Sequence, residues 1–371
     1  MELRLTSNEV IPVEAGESVL SALKRSGVYL VASCGSKGTC GKCKVKILEG
    51  KHRVASYGKL SEQDRASNIV LACQTFPEED LFVEVLKESR LVVGDKIAIA
   101  RTKELAAYLK SFGVEPDPIV RRIFLELPPP SIDDSISDLE RIKRHLAPMG
   151  LGNMRFSYEF VSMMEKTLRD ADWKVDLTYI RTQGTNNTEA LFLTSPKECA
   201  RRHGIAVDIG TTTVVVYLVN LFTGEIVDLG STYNSQMRHG DDVITRIIYA
   251  TERQGLQELR RAIDADINTI IESLVERQKI EHCEIDSAVI AGNTTMAHIF
   301  WGLDPSSIRV EPYIPTLNYF PLWQGSTARL AINPQAPVYT LPCIASYVGG
   351  DIVSGVLATK MHRKPEVALF M

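Results

Sequence analysis

Four of the seven cysteines stand in the spacing C-x5-C-x2-C-x29-C, at Cys34, Cys40, Cys43 and Cys73. Three of them share a loop with Gly35, Gly38 and Gly41. That loop must bend tightly, and glycines allow the positive φ angles and close backbone N–H approach that a sulfide-rich ion needs. The fourth cysteine arrives from a distant segment, so an ion held by all four would also staple the fold. A zinc site usually draws on two paired knuckles, but Cys73 stands alone in Leu-Ala-Cys-Gln. A redox C-x-x-C motif would have no need of Cys34. A 4Fe-4S site more often shows C-x2-C-x2-C. The pattern therefore points to a 2Fe-2S cluster on Cys34, Cys40, Cys43 and Cys73. The other three cysteines, Cys199, Cys283 and Cys343, are scattered and read as small buried hydrophobes.

The chain of 371 residues is long enough for two or three domains. Residues 1–93 read as a small α+β unit. Leu3, Leu5, Val10 and Val13 suggest a hairpin, and Val19 to Arg25 an amphipathic helix. Lys44 to Leu48 alternates like a strand with one wet face. Ser61 with Asp64 has the form of a helix cap, and Ile69 to Ala72 delivers Cys73. Lysines 37, 42, 44 and 46 flank the loop, where they form a solvated face or greet an acidic partner. Residues 94–130 read as a linker, with helical character at 103–112, breaks at Pro116 and Pro118 and a boundary at Pro128 to Pro130. Residues 131–203 form a small α+β middle domain, with helical periodicity around 139–146 and 160–168 and strands around 173–177 and 190–193, joined by a turn at 185–187. The remainder, 204–371, alternates strands and helices as α/β architecture requires. One long helical stretch is expected over 243–278. The net charge of −4 gives no basic field for nucleic acid, and no apolar run is as long as a membrane span. The N-terminus has no secretory core, and a cytoplasmic protein is expected.

Within the α/β part, Asp208-Ile209-Gly210-Thr211-Thr212-Thr213 lies between two apolar β runs. It is not a P-loop, which needs Gly-Lys-Ser/Thr opening a helix. As a strand–turn–strand hairpin, Gly210 permits close approach, and Thr211, Thr212 and Thr213 offer hydroxyl and N–H groups to phosphate. Asp208 is placed to hold Mg²⁺ through water. A second motif, Tyr347-Val348-Gly349-Gly350-Asp351, follows an apolar strand and opens a helical run. Gly349 and Gly350 allow close approach there. Asp351 either orients a water molecule or merely caps the helix.

Together with Ala-Gly-Asn-Thr-Thr-Met-Ala-His at 291–298, these motifs resemble the ATP-dependent reductive activators of corrinoid proteins, over the whole chain and in order. The first cysteine gap is one residue longer than the plant-type C-x4-C-x2-C, and is similar to that of adrenodoxin-like and bacterial relatives. The resemblance implies a multidomain α+β and α/β protein. It would have an N-terminal β-grasp ferredoxin-like domain, a small middle domain, and part of an actin/Hsp70/acetate-kinase-like ATPase domain (204–371). It implies ATP-driven, one-electron reduction of a corrinoid protein from Co(II) to Co(I) in anaerobic metabolism. The cofactors implied are a 2Fe-2S cluster, ATP and Mg²⁺. The partners implied are a cobalamin-type methyltransferase protein and an external low-potential donor, with a homodimer as a further assembly. In that superfamily a second phosphate hairpin follows a strand such as Glu366 to Met371, so the sequence reads as truncated. Two other functions stay open: an electron carrier or docking module without ATP coupling, and a phosphotransferase that carries a sensory cluster.

Overall fold

The computed structural model describes residues 1–28, 30, 32, 36–87, 89, 118–181, 188–196, 201–252 and 255–363. The expectations for Cys34, Cys199, the 103–112 helix, the break at Pro116, the 185–187 turn and the terminal strand at 366–371 lie outside these residues. Among the described residues, no helix is long and apolar enough to cross a membrane.

The N-terminal part is a five-stranded sheet in the order β2-β1-β7-β3-β5. Its strands are β1 (Glu2–Leu5), β2 (Val10–Pro12), β3 (Lys44–Glu49), β5 (Ile69–Leu71) and β7 (Leu81–Val85), and a separate ribbon pairs β4 (His52–Val54) with β6 (Thr75–Pro77). β1 and β7 run parallel while their neighbours are antiparallel, the arrangement of a ferredoxin-like grasp. Helix α1 (Val19–Arg25) starts at Ser18, whose hydroxyl accepts the Ser21 N–H, and it buries Val19, Leu20 and Leu23 against Leu3, Leu5, Val45 and Val83. The short helix α2 (Glu62–Ala66) carries the anticipated capping box on Ser61 and Asp64. β3 alternates as expected: Val45 and Ile47 are buried, and Lys44 and Lys46 lie on the wetter face. Lys44 pairs with Asp64 at 2.8 Å, so the lysines behave as a solvated face.

The second sheet has the order β8-β10-β11-β9, with β8 (Val120–Glu126), β9 (Arg155–Phe156), β10 (Lys174–Arg181) and β11 (Thr188–Thr194). Helices α3 (Asp138–Leu146) and α4 (Tyr158–Asp170) cover one face through Ile142, Leu146, Phe160 and Leu168. β8 falls inside the stretch read as linker. Its apolar residues, Val120, Ile123, Phe124 and Leu125, do not alternate, and it is held by seven register pairs with β10, so pairing rather than periodicity makes it a strand.

The third sheet has the order β14-β13-β12-β15-β17-β16. β12 (His203–Ile209), β13 (Thr213–Asn220) and β14 (Ile226–Tyr233) form an antiparallel meander, and β15 (Ile285–Gly292) and β17 (Pro337–Thr340) add in parallel, with β16 (Trp323–Gln324) at the edge. The expected single helix over 243–278 is two: α5 (Val243–Thr251) and α6 (Gly255–Gln278). Glu252 takes an extended backbone at ψ 172° and ends the first. Ile263, Ile267, Ile271 and Leu274 of α6 join Val207, Val214, Val216 and Leu218 in one core. Two further helices, α7 (Thr294–Trp301) and α8 (Gly350–Thr359), begin where β15 and the loop after β17 end. The second and third sheets are joined by the buried carboxylate of Asp286, which accepts from Arg122 at 3.0 Å and from Arg202 at 2.9 Å. Such charge-assisted contacts satisfy a carboxylate that burial would otherwise penalise.

Candidate functional site

The first site is the cysteine loop. Cys43 enters at the start of β3 and Cys73 leaves the end of β5, and the two strands pair so that the Ala72 N–H donates to the Cys43 carbonyl at 2.8 Å. Both residues are buried, and Cys40 is half-buried. The Cys43 thiol hydrogen-bonds to the Cys73 sulfur, and that contact is the main reason Cys73 falls to about 6. Burial opposes the fall, while the Gln74 amide, 3.7 Å from the sulfur, and the Gly38 N–H reinforce it. Cys43 is pushed up by the same contact and by burial, and the Cys40 charge adds to the push. The contact thus favours the thiolate on Cys73 and the thiol on Cys43. Gly38 sits at φ +74°, and a Cβ there would lie 2.9 Å from the Gln74 side chain. Gln74 in turn donates to the Ser36 carbonyl at 2.8 Å, pinning the loop over the sulfurs. Gln74 was visible in the sequence only as the neighbour of Cys73. Of the remaining cysteines, Cys343 is buried as expected, but Cys283 is half-buried and disulfide-bonded, not a free apolar side chain.

A Cys73 thiol poised to ionise beside Cys43 and Cys40, in a loop shaped by glycine and roofed by an amide, fits a thiolate-ligated metal group. Among the described residues no three His, Cys, Asp or Glu side chains already form a closed metal cage; Cys34, the fourth expected ligand, lies outside them.

The second site lies at one end of the third sheet. β12 and β13 form the expected hairpin, closed by the Gly210 N–H donating to the Thr213 carbonyl at 2.9 Å. The Thr211, Thr212 and Thr213 residues remain partly open to solvent. Two segments distant in sequence come up beside them. Asn293 caps α7, accepting the Met296 N–H at 3.0 Å, and its amide reaches the Thr211 hydroxyl at 3.4 Å. The start of α8 packs against the start of α7 so closely that a Cβ on Gly349 would lie 2.5 Å from backbone atoms of Gly292, Asn293 and Thr294. The Thr294 hydroxyl donates to the Ala345 carbonyl at 2.7 Å and fixes that approach. Two helix N-termini therefore end beside the threonine hairpin, and each presents the positive end of a helix dipole suited to an anion.

Two carboxylates face this end of the sheet. Asp208, the penultimate residue of β12, keeps an exposed side chain; the loss of surrounding water and then the charge of Asp351 raise its pKa. Asp351 stands in the first turn of α8, and its Oδ1 accepts the Ile352 N–H at 2.8 Å. The helix is capped at Gly349 without a side-chain bond, so Asp351 is not its cap, and its charge reaches Asp208. Like charges held together favour a cation between them.

Two residues that the sequence reading passed over support the hairpin from behind. Asn234 donates to the Gly210 carbonyl at 2.8 Å, and its N–H donates to the Thr212 carbonyl at 2.9 Å. Arg246, fully buried on α5, donates to the Thr211 carbonyl at 2.5 Å and to the Gly240 carbonyl at 2.9 Å. Burial lowers its guanidinium to about 10, which leaves it charged at neutral pH. Its sequence signal was an arginine on the same helix face as Ile247 and Ala250.

Three family profiles match the chain in succession: the 2Fe-2S iron-sulfur cluster binding domain over residues 4–78, the RACo linker region over 111–192 and the RACo middle region over 203–364. The chain is similar to the corrinoid activation enzyme RamQ of Eubacterium limosum, at 27% identity over 94% of this chain and 54% of that protein. A solved structure of a reductive activator for corrinoid, iron-sulfur protein superposes with a TM-score of 0.62 at 37% identity, over 99% of this chain and 59% of that one. The N-terminal part alone is similar to the reductase component DmpP of a Pseudomonas phenol 2-monooxygenase, at 42% identity over 21% of this chain and 22% of that protein. The chain thus spans somewhat more than half the length of the corrinoid activators it matches. Its 2Fe-2S domain, RACo linker region and RACo middle region thus stand in that order, and over nearly its whole length it is similar to a solved reductive activator for corrinoid, iron-sulfur protein.

Proposed function

We propose that this chain is the electron-carrying and phosphate-binding part of an ATP-dependent activator that returns a corrinoid protein from Co(II) to Co(I). Cys34, Cys40, Cys43 and Cys73 would hold a 2Fe-2S cluster, which when bound supplies a one-electron store. The depressed Cys73 thiol, with Gln74 and Gly38 as donors, favours the thiolate form that such ligation requires. Gly210, Thr211, Thr212, Thr213, Gly349 and Gly350 would cradle the phosphates of ATP. Asp208 would hold Mg²⁺ through water, and Asp351 would orient the attacking water. The ferredoxin-like (1–93), linker (94–130), middle (131–203) and actin/Hsp70/acetate-kinase-like (204–371) divisions belong to the same reading. So do a cytoplasmic setting, a cobalamin-type methyltransferase partner and an external low-potential donor.

The observation that carries the reading is the meeting of a threonine hairpin, two helix N-termini and two electrostatically coupled carboxylates on the same polypeptide as the ionisation-prone Cys73. A reason for ATP follows from potentials. Plant-type clusters sit near about −400 mV, and for one electron each shortfall of about 59 mV is a tenfold penalty. A cobalt couple below that range is reached only if nucleotide favours a protein state competent for transfer. The test is anaerobic preparation followed by visible and EPR spectra, then reduction of a corrinoid protein with and without ATP, using the full-length gene product. A reduced-cluster EPR signal and nucleotide-dependent loss of Co(II) are expected. A colourless zinc protein, or cobalt reduction indifferent to ATP, would sink the proposal.

A further inference from the structure

The two sites are not isolated from each other. α1 of the ferredoxin-like domain faces the turn 237–241 of the third sheet's domain across a cleft of about 570 Å³. At one side of that cleft the Asp241 carboxylate makes an ion pair with Lys24 of α1, both side chains being largely buried. Its other oxygen accepts the Ser36 hydroxyl at 3.0 Å. Ser36 lies in the cysteine loop, and its carbonyl is the one gripped by Gln74. On the far side, Asp241 follows Gly240, whose carbonyl accepts from Arg246, and the Asp241 charge itself acts on that guanidinium. Arg246 ends on the carbonyl of Thr211 in the phosphate hairpin. Two sets of polar contacts therefore meet at adjacent residues: Gln74, Ser36 and Lys24 lead to Asp241, and Gly240, the residue before it, leads through Arg246 to Thr211.

We propose that Asp241 is a positioning residue: it latches the cysteine loop and α1 onto the α/β domain, and Arg246 makes the latch respond to what the phosphate hairpin holds. A lysine buried as deeply as Lys24 is stable only when paired, so this contact defines a docked arrangement with a specific partner. An anion at the hairpin would pull on Thr211 and Arg246, and Arg246 grips the carbonyl of Gly240, the residue joined to Asp241. Phosphate occupancy then changes how firmly Asp241 holds Lys24 and Ser36. The response to nucleotide rests on the proposed ATP reading; the latch itself does not.

Hydrogen–deuterium exchange on the cluster-loaded chain separates the two. In Asp241→Lys, amides of α1 and of residues 36–43 should exchange at least about tenfold faster than in the unaltered protein, with Asp241→Asn between. The charge-swapped double variant Lys24→Asp/Asp241→Lys should return to within about twofold of the original. Unchanged exchange in Asp241→Lys, or a double variant no better protected than that single one, overturns the latch. Lys24→Met gives the same reading from the other partner should Asp241→Lys not fold. With Mg-ATP added, the original protein should change exchange both at 210–213 and at 36–43, and Asp241→Lys only at 210–213. A response at 210–213 alone in the original protein overturns the coupling and leaves nucleotide binding standing. A response at neither window overturns the coupling and nucleotide binding together, while the swap still decides the latch.

Discussion

In the ferredoxin-like domain, Cys40 and Cys43 are separated by two residues and only Cys73 comes from further away, whereas the phosphate site gathers Gly210, Asn293 and Gly349 from three separate stretches of chain. The two sites also differ in what holds them. The cysteine loop is shaped by its own glycine and by the residue next to its last ligand. The proposed phosphate site is shaped by a parallel sheet that aligns Asp208 opposite Ala291 and Ile209 opposite Gly292. A loop of the first kind announces itself by spacing. A site of the second kind exists only once strands have paired, and no spacing rule links its parts.

The sharpest test of that contrast is to remove one ligand from the local site. Cys43→Ser or Cys73→Ser should abolish the visible absorbance and lower iron per chain to near zero. Far-UV dichroism of the α/β domain should stay unchanged, because its core shares no buried residue with the N-terminal core. Loss of the α/β signal as well would mean the two regions are far less independent than their separate cores imply. Next in size, Asp208→Asn should leave the cluster untouched and lower ATP turnover of the full-length protein by about a hundredfold, the scale of losing one positioned group in proton or metal chemistry. An unaltered turnover would remove Asp208 from the site. Gly349→Ala should be smaller still. Its new methyl would meet three backbone groups at 2.5 Å, and overpacking of this kind costs about 1–3 kcal/mol, read as a lower urea midpoint for the α/β domain with the cluster spectrum intact.

Legibility in the sequence followed the same division. Ser61 as a cap, the alternation in β3 and the hairpin at Gly210 were readable because each is decided by residues within a few positions. β8 was not, because its pairing with β10 rather than its own pattern makes it a strand. The division of 243–278 into two helices was hidden because both halves keep apolar periodicity across Glu252. Of the site residues, the motif carried Asp208, Gly210 and the threonines. Asn234 and Arg246 escaped because their role is to satisfy backbone carbonyls of a hairpin that is distant in sequence. A buried arginine on an apolar helix face is the one signal that could have flagged the second of them.

The smallest effect concerns pH and lies wholly within the assembled site. His298 on α7 is fully buried; its Nδ1 lies 2.7 Å from the Thr294 carbonyl, and the Leu317 N–H donates to its Nε2 at 3.3 Å. That arrangement fits the neutral ring with the proton on Nδ1, and burial lowers its pKa while the Thr294 contact opposes the fall. The unfolded chain therefore binds a proton at His298 below about pH 6.5 that the folded chain refuses. Stability contributed here is intact above the unfolded pKa and falls as the pH drops through it towards the lower folded value, by at most about 1.4 kcal/mol per pH unit for one proton. Urea midpoints of the α/β domain should thus decline from pH 7 to pH 5. His203 is also lowered by burial and contributes in the same sense. The decisive measurement is the difference between the unaltered protein and His298→Gln. The variant should be less stable at pH 7 but lose less on acidification, and an identical slope in the two would show that His298 takes no part in the acid response.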